Sequence, residues 1–310
     1  MMLRSNEINN QLDLTVVILT YNEERHLTRC LSNIRTIAKD ILVVDSFSSD
    51  RTIKIANEFS ARVLQNKFIN HAAQFNWGLD YGDISTEWVL RIDADEYLTD
   101  QLINQIKVTL LGDLPNVDGV SFNRRMTFQG RIIRYGGVFP VQVLRLFRYG
   151  RGRCENRWMD EHIKVSADTI NLSGELIDDN LNSLTWWTDK HNKYASLEAL
   201  EMLNLEFNFM RHDFSDGLKG CKQSFIKRWL KEVVYSRLPG GLRAFVYFLY
   251  RFIIRLGFLD GEAGVAFHFL QGFWYRYLVD VKVSEVKRYM SEHRVDAVNA
   301  IQQVLGITVH

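Results

Sequence analysis

Trp88-Val-Leu-Arg-Ile-Asp93-Ala-Asp95-Glu96 is an apolar β-type run, Val89 to Ile92, that ends in three acids within four residues. Burying one uncompensated carboxylate is costly, and burying three is worse. The strand is therefore expected to end at a solvent-filled cleft, with Asp93 and Asp95 near its rim. Two acids one residue apart, where a strand runs into a loop, can share a hard cation such as Mg2+ or Mn2+. Such a cation can carry a diphosphate. An isolated Asp-x-Asp is common by chance, so its weight comes from the chain around it.

Upstream, Leu14-Thr-Val-Val-Ile-Leu19 is nearly continuous and β-branched, apolar on both faces, as a central parallel strand requires. It stops at Thr20-Tyr21-Asn22-Glu23-Glu24. A helix follows with Leu27, Cys30, Leu31 and Ile34 on one face. The second strand, Ile41-Leu-Val-Val44, ends at Asp45 and Ser46-Phe-Ser-Ser-Asp50, where Ser49 or Asp50 can cap the next helix. Arg62 to Leu64 reads as a third strand and Ala72 to Leu79 as a helix. This alternation predicts an α/β fold, a mainly parallel sheet flanked by helices. In such sheets ligands bind beyond the carboxyl ends of the strands. The polar clusters at Thr20 to Glu23, Asp45 to Ser48 and Asp93 to Asp95 all fall at those ends. Neither G-x-G-x-x-G nor G-x-x-x-x-G-K-[ST] occurs, so a bound nucleotide would rely on a metal for its phosphates. Asp45 is a candidate to accept a base N–H, and Asp93 a ribose hydroxyl.

Composition agrees with a globular protein: 310 residues, 46% hydrophobic and 24% charged, with a formal net charge of +1 that carries no polyanion-binding signature. Cys30, Cys154 and Cys221 are too few and too scattered for a disulfide framework or zinc cluster. Met1 to Leu12 is polar and lacks a signal-peptide core, which leads to the expectation of a cytoplasmic location.

Val17-Ile-Leu-Thr-Tyr-Asn-Glu23, Val43-Val-Asp-Ser46 with Ser49-Asp50, and Asp93-Ala-Asp95 resemble the family-2 glycosyltransferases of the GT-A fold, in order and spacing, over roughly the first hundred residues. The resemblance implies that Thr20, Tyr21, Asn22, Glu23, Asp45 and Ser46 line a nucleotide. It also implies that Gln74 lies near the base, that Asp93 meets the ribose, and that Asp95 meets a divalent cation. Many relatives carry a basic residue in the helix that here reads Ala72-Ala-Gln-Phe-Asn76. The donor would be a nucleotide-diphospho-sugar.

Val117 to Val165 is read as the acceptor half. Gly119 to Phe122 and Val143 to Phe147 are strands, and Arg124, Arg125, Arg131 and Arg134 precede the second. Four arginines can form a solvated hairpin or contact an anionic sugar. In Arg157-Trp-Met-Asp-Glu-His162, Trp158 offers a face for a sugar ring and His162 a metal, phosphate or proton role. An acceptor hydroxyl attacking an anomeric carbon must lose a proton. Glu161 is the expected base and Asp160 its alternate, since adjacent acids on an extended segment point opposite ways. Thr185 to Tyr194 is expected to be a loop in which Lys190 and His191 close over diphosphate or acceptor. Ala195 to Met210 is expected to be a helix packed on the catalytic domain.

Residues 1–215 are thus expected to form the catalytic domain and 216–310 a helical, membrane-associating or oligomerising extension. Lys222 to Gly257 carries eight Lys/Arg and one acid, Glu232. Within it Leu242 to Leu256 is apolar and aromatic, with Arg243, Arg251 and Arg255 at regular intervals. At about 1.5 Å per residue it is about 22 Å long, short of the roughly 30 Å bilayer core. It suits an interfacial helix on an anionic membrane surface, at the inner face of the cytoplasmic membrane. Val265 to Val279 reads as a second apolar helix. The full expectation is an inverting, metal-dependent transferase acting on a saccharide or lipid-linked saccharide of bacterial envelope polysaccharide. A sugar-phosphate nucleotidyltransferase is an alternative, though it normally shows a Gly-rich loop after the first strand. A non-catalytic membrane-docking scaffold is another, opposed by the intact Asp45, Asp93, Asp95 and Glu161.

Overall fold

The computed structural model describes residues 11–155, 161–210 and 241–309. Trp158, Asp160 and the basic stretch from Lys222 to residue 240 lie outside them.

The first half alternates as the periodicity requires: β1 (Leu12–Thr20), α1 (Leu27–Ile34), β2 (Ala38–Asp45), α2 (Thr52–Glu58), β3 (Arg62–Gln65), α3 (His71–Tyr81), β4 (Trp88–Asp93), β5 (Glu96–Leu98) and α4 (Asp100–Leu111). Then come β6 (Val117–Phe128), β7 (Arg131–Ile132), β8 (Val141–Arg148), β9 (Gly152–Cys154), β10 (Ile163–Val165) and β11 (Asp168–Asp178). The main sheet runs β3-β2-β1-β4-β8-β6-β11-β5, with β7 paired to β6. β1 lies parallel to β2 and β4, and β2 to β3; β8 runs antiparallel to both β4 and β6. The carboxyl ends of β1, β2 and β4 therefore share one rim.

Side-chain alternation places two cores on the two faces of β1. Val16 and Ile18 join Leu27, Leu31, Leu90 and Ile92 on the α1 side. Val17 joins Leu42, Val44, Phe75 and Val89 on the α3 side. Asn70 caps α3 by accepting from Ala73 N at 2.7 Å. At Gly78 a Cβ would sit 2.8 Å from Val44 Cγ2, so the missing side chain lets α3 press against β2. The N-cap of α2 is Arg51 and neither Ser49 nor Asp50; Asp50, one residue earlier, accepts from Thr52 N at 2.9 Å.

The C-terminal part departs from expectation. Residues 185–194 are not a loop. They open α5 (Leu184–Phe207), which Ser183 caps by accepting from Trp186 N. Trp186, Trp187, Lys190, His191 and Tyr194 follow helical spacing and therefore share one face. Nor does the rest of α5 pack on the sheet. Ala195, Ala199, Leu200 and Leu203 pack on Tyr275, Val279, Val283, Ala300 and Ile301. Those partners belong to α8 (Tyr275–His293) and α9 (Ala297–Leu305). Between them lie α6 (Leu242–Leu249), a π-helical turn (Tyr250–Ile254), a short 3-10 turn (Gly257–Asp260), α7 (Gly261–Phe267) and a second π-helical turn (His268–Trp274). Among the described residues no helix is long and apolar enough to cross a membrane.

Two of the three arginines expected to face lipid headgroups, Arg243 and Arg251, turn inward, while Arg255 is exposed. Arg243 is buried and paired with Asp280, and Arg251 is buried against the Gly136 carbonyl. Asp280 and the Gly136 carbonyl supply partners that hold the two guanidiniums inside the fold. The opposite face exposes Phe245, Val246, Ile253 and Ile254.

Candidate active site

The rim is built by three loops that bond to one another. Thr20 Oγ1 donates to Asp45 Oδ1 at 2.9 Å, Ser48 N to Asp45 Oδ2 at 2.8 Å, and Gln65 Nε2 to the same oxygen at 3.2 Å. Asp45 is fully buried and its carboxylate is saturated by the protein. The expectation that it receives a base N–H is corrected here: the group organises the loop after β2. Asn22, at φ 56°, accepts from Ser49 N at 2.8 Å and donates its own N–H to Ser48 Oγ at 2.8 Å. Ser46 N donates to Thr20 O at 2.9 Å. Gln74 is likewise corrected. It is buried rather than poised in the cleft, donating to Ser46 Oγ and Asn66 O, each at 3.1 Å. Tyr21 stands exposed on the outer edge of this rim.

The acids from β4 meet a cleft of about 1700 Å³ lined by Glu23, Asp93, Asp95, Glu161, His162 and Lys190, among others. Two arginines from the sheet floor hold them. Arg145 Nη2 lies 3.0 Å from Asp93 Oδ2 and 3.1 Å from Glu96 Oε1. Arg91 Nη2 lies 3.0 Å from Glu161 Oε1, and Arg91 Nε is 3.9 Å from Asp93 Oδ1. Burial pushes the Asp93 carboxyl up, but Arg145 and Arg91 outweigh it and hold it well below the usual carboxylate range. Glu96 goes the other way. Burial, opposed by Arg145 and reinforced by Asp93 and Asp178, pushes it up to about 8.

Asp95 has a different environment. Asn180 Nδ2 donates to its Oδ2 at 2.8 Å, and among the described residues no ion pair reaches its carboxylate. Asp178, at the end of β11, is pushed up to about 6 by burial and by Asp95. Burial also raises Glu23, an effect its 2.6 Å bond to His26 opposes and the Asp95 charge reinforces. This corner thus carries more negative charge than its protein cations balance. The donors are hard oxygens, which fits Mg2+ or Mn2+. Among the described residues no group of three metal-ligating side chains occurs. That donor set suits a cation completed by substrate phosphates and water. Arg145 holds Asp93 Oδ2 and Arg91 lies 3.9 Å from Oδ1, whereas Asp95 has no ion pair among the described residues.

Lys190 enters from α5 with its Nζ 4.8 Å from the Trp186 ring centroid. Burial lowers its pKa, but Tyr194, Asp95 and Glu23 raise it further, so it remains charged. His191 also lines the cleft, as a neutral imidazole held by its neighbours. It stacks on Trp187 at 3.5 Å, bonds to Trp187 O at 2.9 Å, and burial brings it down to about 4. His162 lines the cleft beside Glu161. The four arginines between residues 124 and 134 do not cluster: Arg124 lines the cleft, Arg125 pairs with Glu175, and Arg131 and Arg134 are exposed.

Sequence reasoning missed Arg91, Arg145, Glu96, Asp178, Asn180 and the cleft-lining His71. For the two arginines a signal existed. Each is a lone charge inside an apolar strand, Val-Leu-Arg91-Ile and Val-Leu-Arg145-Leu-Phe. A charge buried in a sheet must find partners, and acids at the strand ends are where to look.

Residues 15–138 match the family described as glycosyl transferase family 2. An uncharacterized glycosyltransferase of Rickettsia bellii is 31% identical over 94 residues, which cover 30% of this chain and 31% of that one. The match thus spans about a third of the length of this and the similar Rickettsia relatives. The lipopolysaccharide core biosynthesis glycosyltransferase LpsC of Rhizobium meliloti is 27% identical over 248 residues, covering 74% of this chain and 90% of that protein. Among solved structures, the mannosyltransferase PcManGT from Pyrobaculum calidifontis, in complex with GDP-Man and Mn2+, is 16% identical. It has a TM-score of 0.47 and covers 89% of this chain and 88% of that one.

Proposed function

We propose that this chain, whose residues 15–138 match glycosyl transferase family 2, is an inverting, metal-dependent glycosyltransferase. It moves a sugar from a nucleotide-diphospho-sugar to a hydroxyl of a saccharide in envelope polysaccharide synthesis. The observation that carries the reading is the pairing of two carboxylates in one cleft. Among the described residues Asp95 has no ion pair, and Glu161 is aimed by Arg91 from 3.0 Å. That bond occupies Glu161 Oε1, while Oε2 has no hydrogen-bond partner among the described residues and is left to take the acceptor proton. Asp160 is the alternate base. Asp95 would hold the divalent cation, which supplies charge stabilisation of the departing diphosphate when bound. Lys190, already charged and facing the same corner, adds to it. The rim from Thr20 to Glu23, with Ser46, supports the nucleotide, and Asp93, oriented by Arg145, is placed for a sugar hydroxyl.

The test is a thermal-shift panel of nucleoside diphosphates and nucleotide-sugars with Mn2+, Mg2+ or EDTA. Ligand that binds only the native state raises the melting temperature, by about 2.7 kcal/mol of stability at a hundredfold excess over Kd. The expected result is a metal-dependent rise with one nucleotide base, abolished in Asp95→Ala. No rise with any nucleotide, in folded protein, would remove the donor site and favour the scaffold reading.

The acceptor is assigned to a lipid surface at the inner face of the cytoplasmic membrane. The support is the outward face of α6 and its π-helical turn, where Phe245, Val246, Ile253 and Ile254 are each about half exposed or more. Co-sedimentation with vesicles of anionic phospholipid should therefore occur and should fall several-fold in Ile253→Asn/Ile254→Asn. Equal sedimentation of both proteins would refute the assignment.

A further inference from the structure

The same cleft has a second charged region that the chemistry above does not use. Arg251 is 4% exposed, yet no carboxylate lies within ion-pair reach of it among the described residues. Its Nε donates to Gly136 O at 3.2 Å and its Nη1 to Gln271 Oε1 at 3.1 Å, while Nη2 has no hydrogen-bond partner. A buried guanidinium without an anion is costly. Four residues on, the Arg255 side chain has no hydrogen bond or ion pair among the described residues. It lies against Gly137, its Nε 3.4 Å from where a Cβ would sit. Gly136 and Gly137, at φ +74° and +71°, lie between the two arginines: the His268 ring covers Gly136, whose carbonyl takes Arg251 Nε and whose N–H donates to Arg255 O at 2.9 Å, while Gly137 faces the Arg255 side chain. All four residues line the cleft. Arg251 and Gln271 each come from a π-helical turn, an irregularity that recurs at functional sites.

An aromatic wall connects this region to the acids. Trp187, one turn before Lys190 on α5, packs on Phe128 at 5.5 Å, and Phe128 packs on Phe267 at 5.5 Å. The Arg251 guanidinium lies 5.5 Å from the Phe267 ring centroid. Such a wall suits the apolar faces of sugar rings.

We propose that Arg251 and Arg255 form an anion subsite that takes a phosphate or carboxylate on the acceptor, so that the acceptor is an anionic saccharide. The inference rests on the transferase reading and deepens it. Guanidinium forks hold both anions bidentately, and one such contact lets the acceptor present its hydroxyl to Glu161 in a fixed register.

The experiment titrates glucose 6-phosphate, glucuronate and glucose into the full chain in EDTA at constant ionic strength, read by thermal shift. Wild type should be stabilised by one or both anionic sugars and not by glucose. The response separates the sources: a phosphate-bearing acceptor if glucose 6-phosphate alone acts, an acidic sugar if glucuronate does. In Arg255→Gln, an exposed change that leaves packing intact, apparent affinity should fall about tenfold, the loss of one charge-assisted contact. Arg251→Gln should fall further. In Asp95→Ala and Lys287→Gln the anion response should persist, which separates this subsite from the donor corner and from general positive charge. An anion response unchanged in Arg255→Gln, or equal for glucose, overturns the proposal. The metal-dependent nucleotide shift is read on the same proteins. A nucleotide shift in wild type alongside an absent anion response in wild type would sink the subsite alone, and an absent nucleotide shift in wild type would sink the transferase reading.

Discussion

Arg145→Met is expected to cost about 3 kcal/mol of unfolding free energy, the lower end of the range for breaking a buried ion pair from one side. The lower end applies for two reasons. Glu96 can take up a proton, and Asp93 is 38% exposed at its side chain, so water recovers part of its solvation. The pH dependence carries the diagnosis. In wild type Asp93 is held below its ordinary value of 3.8, so it contributes stability above that pH, lost as the pH falls. Glu96, raised from 4.5 to about 8, has the opposite sign: its contribution is present below about pH 4.5 and is lost as pH rises toward 8. Without Arg145, burial would raise both carboxyls, and Asp93 would change sign and oppose folding as it ionises. The gap between variant and wild type should therefore be larger at about pH 8 than at about pH 5 in denaturant unfolding. A gap independent of pH would mean that Arg145 stabilises by packing and not by its charge.

Glu161→Gln is expected to lower kcat by about 10² to 10⁴, the usual worth of a general base. KM for the donor should move little, because Glu161 stands apart from the Thr20 to Glu23 rim. The amide oxygen can still accept from Arg91, so the local fold is kept. The readout is release of nucleoside diphosphate from the donor identified by thermal shift, in the presence of acceptor. Full activity in Glu161→Gln with collapse in Asp160→Asn would transfer the role to Asp160. Full activity in both would leave the cleft without a base and remove the inverting mechanism.

These two residues show the two ways in which the site is assembled. Glu161 was identifiable as an acid beside an imidazole and an aromatic, but nothing in its segment says that it meets β4. That contact is made by Arg91 across a sequence separation of 70 residues. Gln74 and Asp45 illustrate the reverse. Both stand in the motif that marks the nucleotide rim, and both turn out to be consumed in building it. Asp45 holds Thr20, Ser48 and Gln65, while Gln74 ties Ser46 to Asn66. A motif records that a residue type is needed at a position, and a side chain that shapes a loop leaves the same mark as one that touches the ligand.

By itself the sequence determined the elements that periodicity and capping control. β1 to β4 and α1 to α3 fall where the apolar runs and amphipathic stripes require, because period-2 and period-3.6 burial leave little freedom over such short segments. It also determined that three polar clusters share a rim, since parallel strands place their carboxyl ends together. Tertiary structure decided what depends on distant partners. One such matter is the direction of Arg243 and Arg251, whose eight-residue spacing is equally compatible with a headgroup-facing and an inward stripe. Asp280 and the Gly136 carbonyl turn them in. Another is α5, whose Trp-Trp-Thr-Asp-Lys-His start reads as a loop until Ser183 caps it and α8 supplies an apolar surface along its length. Local propensity fixes an element when burial has a single period. Where a face can be satisfied by more than one neighbour, only the packed chain selects which.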